Sequence, residues 1–359
     1  MKKVCILCAA NIKHMTLVSL YTEVLKKYNV LYDLIYIDKY NEEEASEAKI
    51  IYRFQIHLKK GWSFSRKLLE YWKFRKFAIN IIENNKYDFI IVWNEFSAFM
   101  FSDYLAKEYK GKYCINIRDY NYNSVFFVQK RLKKAVYNSA FSTISSERFL
   151  DFLPRYNYIF IHSYNDKLLQ GIKQRKKMRE KNNPIRLMFI GRLSYIESKI
   201  KTINALGNDN RFLLYFYGTG CNDLLDNVKD KKYNNIIIKD EFEPIDTADL
   251  LSDADVIFSL NKEKELFSDV LLPIKLYYAI CMHIPILAFK SSYTYEYARK
   301  LNIAIGVEEK DFTNLGDIIY DQYYKMDQQS IDCGCESAFN DIKKSHSELN
   351  SKILDNIIT

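Results

Sequence analysis

Short apolar runs recur along the chain, each followed by a stretch in which apolar residues return every third or fourth position. In the first half the runs span 4–9, 31–37, 87–93, 113–117 and 158–161. In the second they span 186–190, 212–217, 236–238, 256–260, 284–289 and 303–305. Such runs predict strands buried on both faces, and the stretches between them predict helices. Strands alternating with helices form parallel sheets, so the pattern predicts an α/β chain in two halves.

The sharpest local pattern is 271–288, beginning Leu271-Leu272-Pro273-Ile274-Lys275, read as loop, helix and strand in succession. Pro273 suits a first helical turn, where its missing N–H is no loss, and Pro285 marks the stop, leaving about three turns. Leu276, Tyr277, Ile280, Cys281 and Ile284 fall on one face, toward a sheet, while Lys275, Tyr278 and Met282 share another. The unpaired N–H groups of such a helix start, with a lysine one turn in, attract a phosphate or pyrophosphate. An ordinary amphipathic core helix has the same spacing.

At 359 residues the chain exceeds one comfortable core. The expected division is 1–170 and 185–336, joined by a basic linker at 171–184 without apolar periodicity, with the helical stretch 337–359 packing back on the first domain. The formal charge of +8 favours an anionic partner, or serves solubility alone. Nucleic acid is not expected, because no recognition motif accompanies the charge.

Between Arg53 and Phe77, Lys59, Lys60, Arg66, Lys67, Lys73, Arg75 and Lys76 interleave with Trp62, Phe64, Tyr71, Trp72 and Phe74. That stretch fits peripheral contact with an anionic membrane; a helix buried on one side explains much of it too. Seven cysteines without a CxxC pair fit a reducing cytoplasm. The run at 4–8 reads as a first strand rather than a signal peptide, and the uncharged run at 276–289 is too short to cross a bilayer. Asp253 and Asp255 stand before a strand, and Cys333 and Cys335 lack partners at zinc spacing, so no metal site is expected.

Ligands of such sheets collect beyond the carboxyl ends of the strands. In the first half those places hold Asn11 and His14, Asn94 and Glu95, Arg118 and Asp119, and His162. Each alone also reads as a polar loop residue or helix cap. In the second half they hold Gly191 and Arg192, then Gly218 and Gly220, then Glu241 and Glu243, with Lys199 and Lys201 on the helix after the first strand and Asp269 before the helix at 273. The glycines let a ligand approach the backbone, and Arg192 can grip two phosphate oxygens.

In order and spacing these residues resemble a GT-B glycosyltransferase of the bacterial capsule and exopolysaccharide type. The likeness rests on Ile115-Asn116-Ile117-Arg118-Asp119-Tyr120, Ser145-Ser146 with Phe152-Leu153-Pro154, and Ile161-His162 in the first half. In the second half it rests on Phe189-Ile190-Gly191-Arg192-Leu193, Tyr217-Gly218-Thr219-Gly220, Ala254-Asp255-Val256 and Leu272-Pro273-Ile274-Lys275-Leu276-Tyr277.

The resemblance implies two Rossmann-like domains facing a central cleft, with an acceptor in the first and a nucleotide-sugar donor, a UDP-sugar by first choice, in the second. It implies no tightly bound cofactor and no required metal. Arg192 and Lys199 would neutralise the donor pyrophosphate, assisted by backbone near Gly191, Gly218 and 269–272, including Asp269 and Leu272. Glu241, Lys275 and Tyr278 complete the implied donor site, and Asn11, His14, Asn94, Glu95 and Arg118 the acceptor site, whose glycan is expected to be lipid-linked.

Asp119 and His162 are the candidates for a catalytic base, with a structural role open for each. Arg192 is the first choice for stabilising the departing diphosphate, worth about 2.7–4 kcal/mol. The chain departs from many relatives where they carry two glutamates eight positions apart, having Val270 and Tyr278 instead. A nucleotide-sugar epimerase and a non-catalytic glycan- or partner-binding protein are the alternatives.

Overall fold

The computed structural model describes residues 2–358 except 16, 58–60, 62, 120–124, 167–168, 176, 230 and 266–268, and omits the side chains of 64, 65 and 244. Lys59, Lys60 and Trp62 of the basic stretch and Tyr120 of the first-half motif therefore lie outside the described residues, as does the side chain of Phe64.

The chain forms two compact units, Met1–His162 with Lys343–Thr359, and Ser163–Ile342. In the first, β1 (Val4–Cys8), β2 (Tyr32–Asp38), β3 (Ile50–Gln55), β4 (Phe89–Trp93), β5 (Tyr113–Ile117), β6 (Phe141–Ile144) and β7 (Ile159–Phe160) make one sheet. Its order is β3-β2-β1-β4-β5-β6-β7, with every pair parallel. Helices α1 (Ser19–Lys27), α2 (Phe64–Asn85), α3 (Glu95–Glu108) and α4 (Phe126–Tyr137) belong to this unit.

β1, β4 and β5 are buried at every position, as expected of strands covered on both faces. The apolar-run reading missed β3 and β6. β3 (IIYRFQ) is an edge strand with mostly exposed residues, and β6 (FSTI) is short and half hydroxyl-bearing, so neither presents a continuous apolar run. Leu349, Ile353 and Ile357 join the core formed by β1, β2 and β4.

The second unit contains β8 (Ile185–Ile190), β9 (Phe212–Tyr217), β10 (Ile236–Lys239), β11 (Val256–Phe258), β12 (Ile286–Phe289) and β13 (Ala304–Val307), ordered β10-β9-β8-β11-β12-β13 and again all parallel. Its described helices are α5 (Ile196–Leu206), α6 (Asn222–Val228), α7 (Thr247–Leu251), α8 (Ile274–Met282), α9 (Tyr293–Lys300) and α10 (Leu315–Lys325). The last helix, α11 (Gln328–Ile353), belongs to this unit up to Ile342 and to the first from Lys343.

In α8, Pro273 is the N-cap rather than the first helical residue, and His283 closes the helix in the left-handed conformation at φ 55°. Leu276, Tyr277, Ile280 and Cys281 are buried as the spacing predicts; Met282 is buried with them rather than sharing the half-buried side of Lys275 and Tyr278.

The basic stretch 171–184 lies inside the second unit, where Arg175 and Arg179 pair with Asp255 at 3.0 and 3.7 Å. Asp255 also accepts from Arg186 at 3.3 Å, and Asp253 pairs with the same arginine, so both carboxylates of this pair face guanidinium groups. Among the described residues no helix is long and apolar enough to cross a membrane.

Both sheets have the doubly wound strand order whose direction reverses beside the first strand. The switch points lie between β1 and β4 and between β8 and β11, and ligands of such sheets sit at the carboxyl ends there.

Candidate functional site

Beside the switch point of the second unit, the turns after β8 and β9 touch. Gly191 and Gly218 have φ of 112° and 133°, and a Cβ on Gly218 would stand 2.2 Å from the Gly191 carbonyl oxygen. Only glycine permits that approach in that conformation. The N–H of Gly191 donates to the Tyr217 carbonyl at 2.9 Å, and that of Leu193 to the Thr219 carbonyl at 2.9 Å, so both turns are held with open backbone between them.

Two lysines converge beside this place. Lys275 Nζ lies 4.6 Å from the centre of the Phe189 ring and Lys199 Nζ lies 5.2 Å from it. Lys199 is fully buried and donates to the Leu260 carbonyl at 2.7 Å and to Asn261 Oδ1 at 3.3 Å. Burial pushes its ammonium down to about 7, with Lys275 adding to the shift and Cys221 opposing it. Burial brings Lys275 down to about 8, again against Cys221.

Among the described residues Lys275 has no carboxylate or hydrogen-bond acceptor. Two ammonium groups near one aromatic face, with no carboxylate bound to either, are matched to a multiply charged anion. Lys275 also sits in the first turn of α8, where the helix dipole adds to its field.

Next to the lysines, Ser259, Asn261, Asp269, Pro273, Ser292 and Thr294 line a crevice beyond β11 and β12. Thr294 Oγ1 donates to the Leu271 carbonyl at 3.1 Å and steadies the loop that leads through buried Leu272 into α8. Asp269 is half-buried, and burial, then Glu263 and Glu265, raise its carboxyl to about 6. Its Oδ1 is buried without a hydrogen-bond donor among the described residues.

Tyr278 is half-buried, its phenol pushed up to about 12 by burial and then Cys281. Arg192 and Glu241 are exposed, with no side-chain hydrogen bond or ion pair among the described residues.

In the first unit, Asn11 is fully buried. Its Nδ2 donates to Asp38 at 3.0 Å and Glu44 at 2.8 Å, and its Oδ1 accepts from the Lys39 N–H at 2.9 Å. Its amide is thus engaged in shaping the loop after β2. Asp38 is held at about 2: burial opposes ionisation, but Asn11, the Tyr40 N–H and Arg53 outweigh it.

Asn94 caps α3 with φ 72°, its Oδ1 accepting from the Ser97 N–H at 2.8 Å and Ser97 Oγ at 2.9 Å. Ser97 Oγ in turn accepts the Ala9 N–H at 2.8 Å, tying the end of β1 to the start of α3. Glu95, the first residue of α3, is buried.

His14, Arg118 and Asp119 are brought within electrostatic reach of one another. Asp119 keeps an exposed edge; partial burial raises its carboxyl, while Arg118 and His14 pull it down. Exposed His14 lies 3.2 Å from the Tyr40 hydroxyl.

His162 is buried against the Phe160 ring, 4.5 Å away, and its carbonyl lies 3.4 Å from His346 Nε2. Burial, then His346, lower its imidazole to about 4, so it is neutral at physiological pH.

Reading the residues after each strand left out Asn261, although it follows the 256–260 run and obeys the same rule. Phe189 was read as part of a strand and of the motif running to Leu193, and the meeting of two ammonium groups at its ring has no local signal.

No protein-family model matches the sequence, and no curated protein matches it. Solved structures do match over nearly the whole chain. Sucrose-phosphate synthase from Thermosynechococcus elongatus aligns with a TM-score of 0.71 at 12% identity, covering 99% of this chain and 100% of that one.

HepE from Anabaena, in complex with UDP, aligns at 0.67 with 10% identity, covering 99% of this chain and 100% of its own. An α,α-trehalose-phosphate synthase (UDP-forming) from Burkholderia xenovorans, in complex with glucose-6-phosphate, aligns at 0.66 with 10% identity over 99% of both. Likeness at this identity is a likeness of architecture: the chain has the two Rossmann-like domains of the GT-B glycosyltransferase fold.

Proposed function

We propose that the chain transfers a hexose or amino sugar from a nucleoside-diphosphate sugar, UDP-sugar by first choice, to a growing lipid-linked bacterial surface glycan. The observation that carries this reading is the Lys199–Lys275 pair beside the open backbone of Gly191 and Gly218, at the switch point of a Rossmann-like unit. The UDP bound to HepE, which shares the fold, supports the choice of nucleotide.

As the glycosidic bond breaks, negative charge builds on the leaving diphosphate. Fixed cations then bind the transition state more tightly than the ground state, which is how they accelerate the step. Lys275 and Lys199 take that role here, with Arg192 closing over the phosphates from the surface and the N-terminus of α8 adding its dipole. Asp269, Asn261 and the 269–272 backbone hold sugar hydroxyls in the crevice. Tyr278 and Glu241 are assigned to the nucleoside; a phenol offers one donor where a carboxylate offers two acceptors.

The first unit is assigned the acceptor. Asp119, within electrostatic reach of Arg118 and His14, is the proposed base, its raised carboxyl suiting proton acceptance. Asn94 and Glu95 complete the acceptor edge, and Asn11 positions its loop. His162 stays neutral, so any catalytic part for it is as a base rather than a cation.

The test is a melting-temperature screen against nucleoside diphosphates and their sugars. UDP at about a hundredfold over Kd should add about 2.7 kcal/mol, a rise of roughly 5–10 °C for units of this size. No shift with any nucleoside diphosphate would remove the reading. Arg192→Ala should weaken UDP binding by about tenfold, read by calorimetric titration, because an exposed, unheld cation is screened by solvent.

A further inference from the structure

In the first unit, α2 and α4 leave large aromatic and aliphatic side chains in solvent, and a ladder of half-buried rings on α2 and α3 leads from one helix to the other. The rings run from Tyr71 on α2 to Phe96 at 5.1 Å, on to Phe99 at 6.4 Å, both on α3, and to Phe127 on α4 at 5.9 Å. On α2 Leu69 is 62% exposed and Trp72 42%, and on α4 Phe126 is 81% exposed and Phe127 59%. Exposed side chains this large on α2 and α4, joined through half-buried rings on α3, mark an interaction surface rather than scattered surface residues.

Cations are interleaved with the rings. The Arg75 guanidinium lies 5.0 Å from the Trp72 ring, Arg131 lies 5.3 and 6.0 Å from Phe99 and Phe127, and Lys39 lies 5.7 Å from Tyr71. Arg66, Lys76, Lys130 and Lys133 add exposed positive charge on α2 and α4. The carboxylates beside the strip are held in ion pairs, Glu70 with Lys73 at 2.6 Å and Asp103 with Arg131 and Lys134 at 2.7 and 2.8 Å. Aromatics flanked by long basic side chains complement the boundary of an anionic bilayer, where rings enter the headgroup layer and cations meet lipid phosphates.

We infer that the strip formed by α2 and the starts of α3 and α4 docks the protein on an anionic phospholipid surface. α3 and α4 begin beyond the carboxyl ends of β4 and β5, the edge that also carries Asn94 and Asp119. A bilayer held there presents lipid-anchored molecules to that edge. The inference goes beyond the glycosyltransferase reading and does not depend on it, since it concerns lipid binding without sugar.

The experiment is co-sedimentation of the full chain with vesicles of phosphatidylcholine alone and of phosphatidylcholine mixed with phosphatidylglycerol. Binding to the mixed vesicles is expected, weakening as salt rises. Phe126→Asp with Phe127→Asp should reduce it by at least about tenfold, and Lys130→Glu with Lys133→Glu by a similar factor. Melting temperatures should hold for both pairs, because all four residues are exposed.

Three results overturn the inference: no binding to either vesicle, equal binding by wild type and both variants, or self-association without lipid that Phe126→Asp with Phe127→Asp abolishes. A UDP-induced melting shift measured on the same variants reads the donor proposal separately.

Discussion

Replacing Lys275 with methionine is expected to lower sugar transfer by on the order of a hundred- to a thousandfold while leaving the protein at least as stable at neutral pH. The two halves of that result have one cause. The ammonium lies beside the Phe189 ring with no acceptor among the described residues, so it is held ready for a ligand rather than used by the fold. Burial lowers it to about 8, below the value near 10.4 of an unfolded chain.

A lysine depressed in the folded state binds fewer protons there than when unfolded, so its penalty on folding is full below about pH 8 and disappears as pH rises past 10. The wild type should therefore gain stability relative to Lys275→Met between about pH 8 and 10, read as melting temperature against pH. An incoming diphosphate reverses the balance by supplying charge, so UDP binding should take up protons and weaken as pH rises through about 7 to 8. Near-normal kcat/KM in the methionine variant would remove Lys275 from the mechanism.

The second large effect is on stability. Asp255→Ala should destabilise the second unit by roughly 3–5 kcal/mol, lowering its melting temperature by about 10 °C. Asp255 is 2% exposed, and besides its three arginine partners its Oδ2 accepts the Arg186 N–H at 3.0 Å. Removing it leaves Arg175, Arg179 and Arg186 crowded together without their shared counter-ion, which is the costly way to break a buried pair.

The same carboxylate anchors the basic stretch 171–184, with Arg175 also donating from its backbone to the Met282 carbonyl and from its side chain to the Ala254 carbonyl, both at 2.6 Å. Asp253→Ala is the control. Its carboxylate is 62% exposed and its single ion pair should be worth no more than about 1 kcal/mol. Calorimetric unfolding of the two variants should separate them clearly; equal losses would mean that burial of Asp255 is not what matters.

Strands buried on both faces were legible because they need continuous apolar runs, as in β1, β4, β5, β11 and β12; β9 and β10 carry apolar runs too, although β9 is half-buried on one face and β10 is an edge strand. β3 failed to register because an edge strand with exposed, basic neighbours carries no such requirement. Gly191 and Gly218 were legible as open backbone at strand ends, but their contact with each other was not, since it joins turns 27 positions apart. Asn11 read as a ligand-facing residue; the carboxylates that occupy its amide, Asp38 at the end of β2 and Glu44 in the loop after it, are not connected to it by local pattern.

By itself the sequence determined two parallel α/β halves, the places where strands end, and the start of α8 with its lysine. These follow from burial and backbone conformation, which act on neighbours in the chain. Tertiary structure alone decided that Lys199 and Lys275 meet at Phe189, that Asp255 gathers three arginines, and that His162 is neutral. Charge, desolvation and hydrogen bonding depend on distances between residues remote in sequence, and those distances exist only once the sheets have formed.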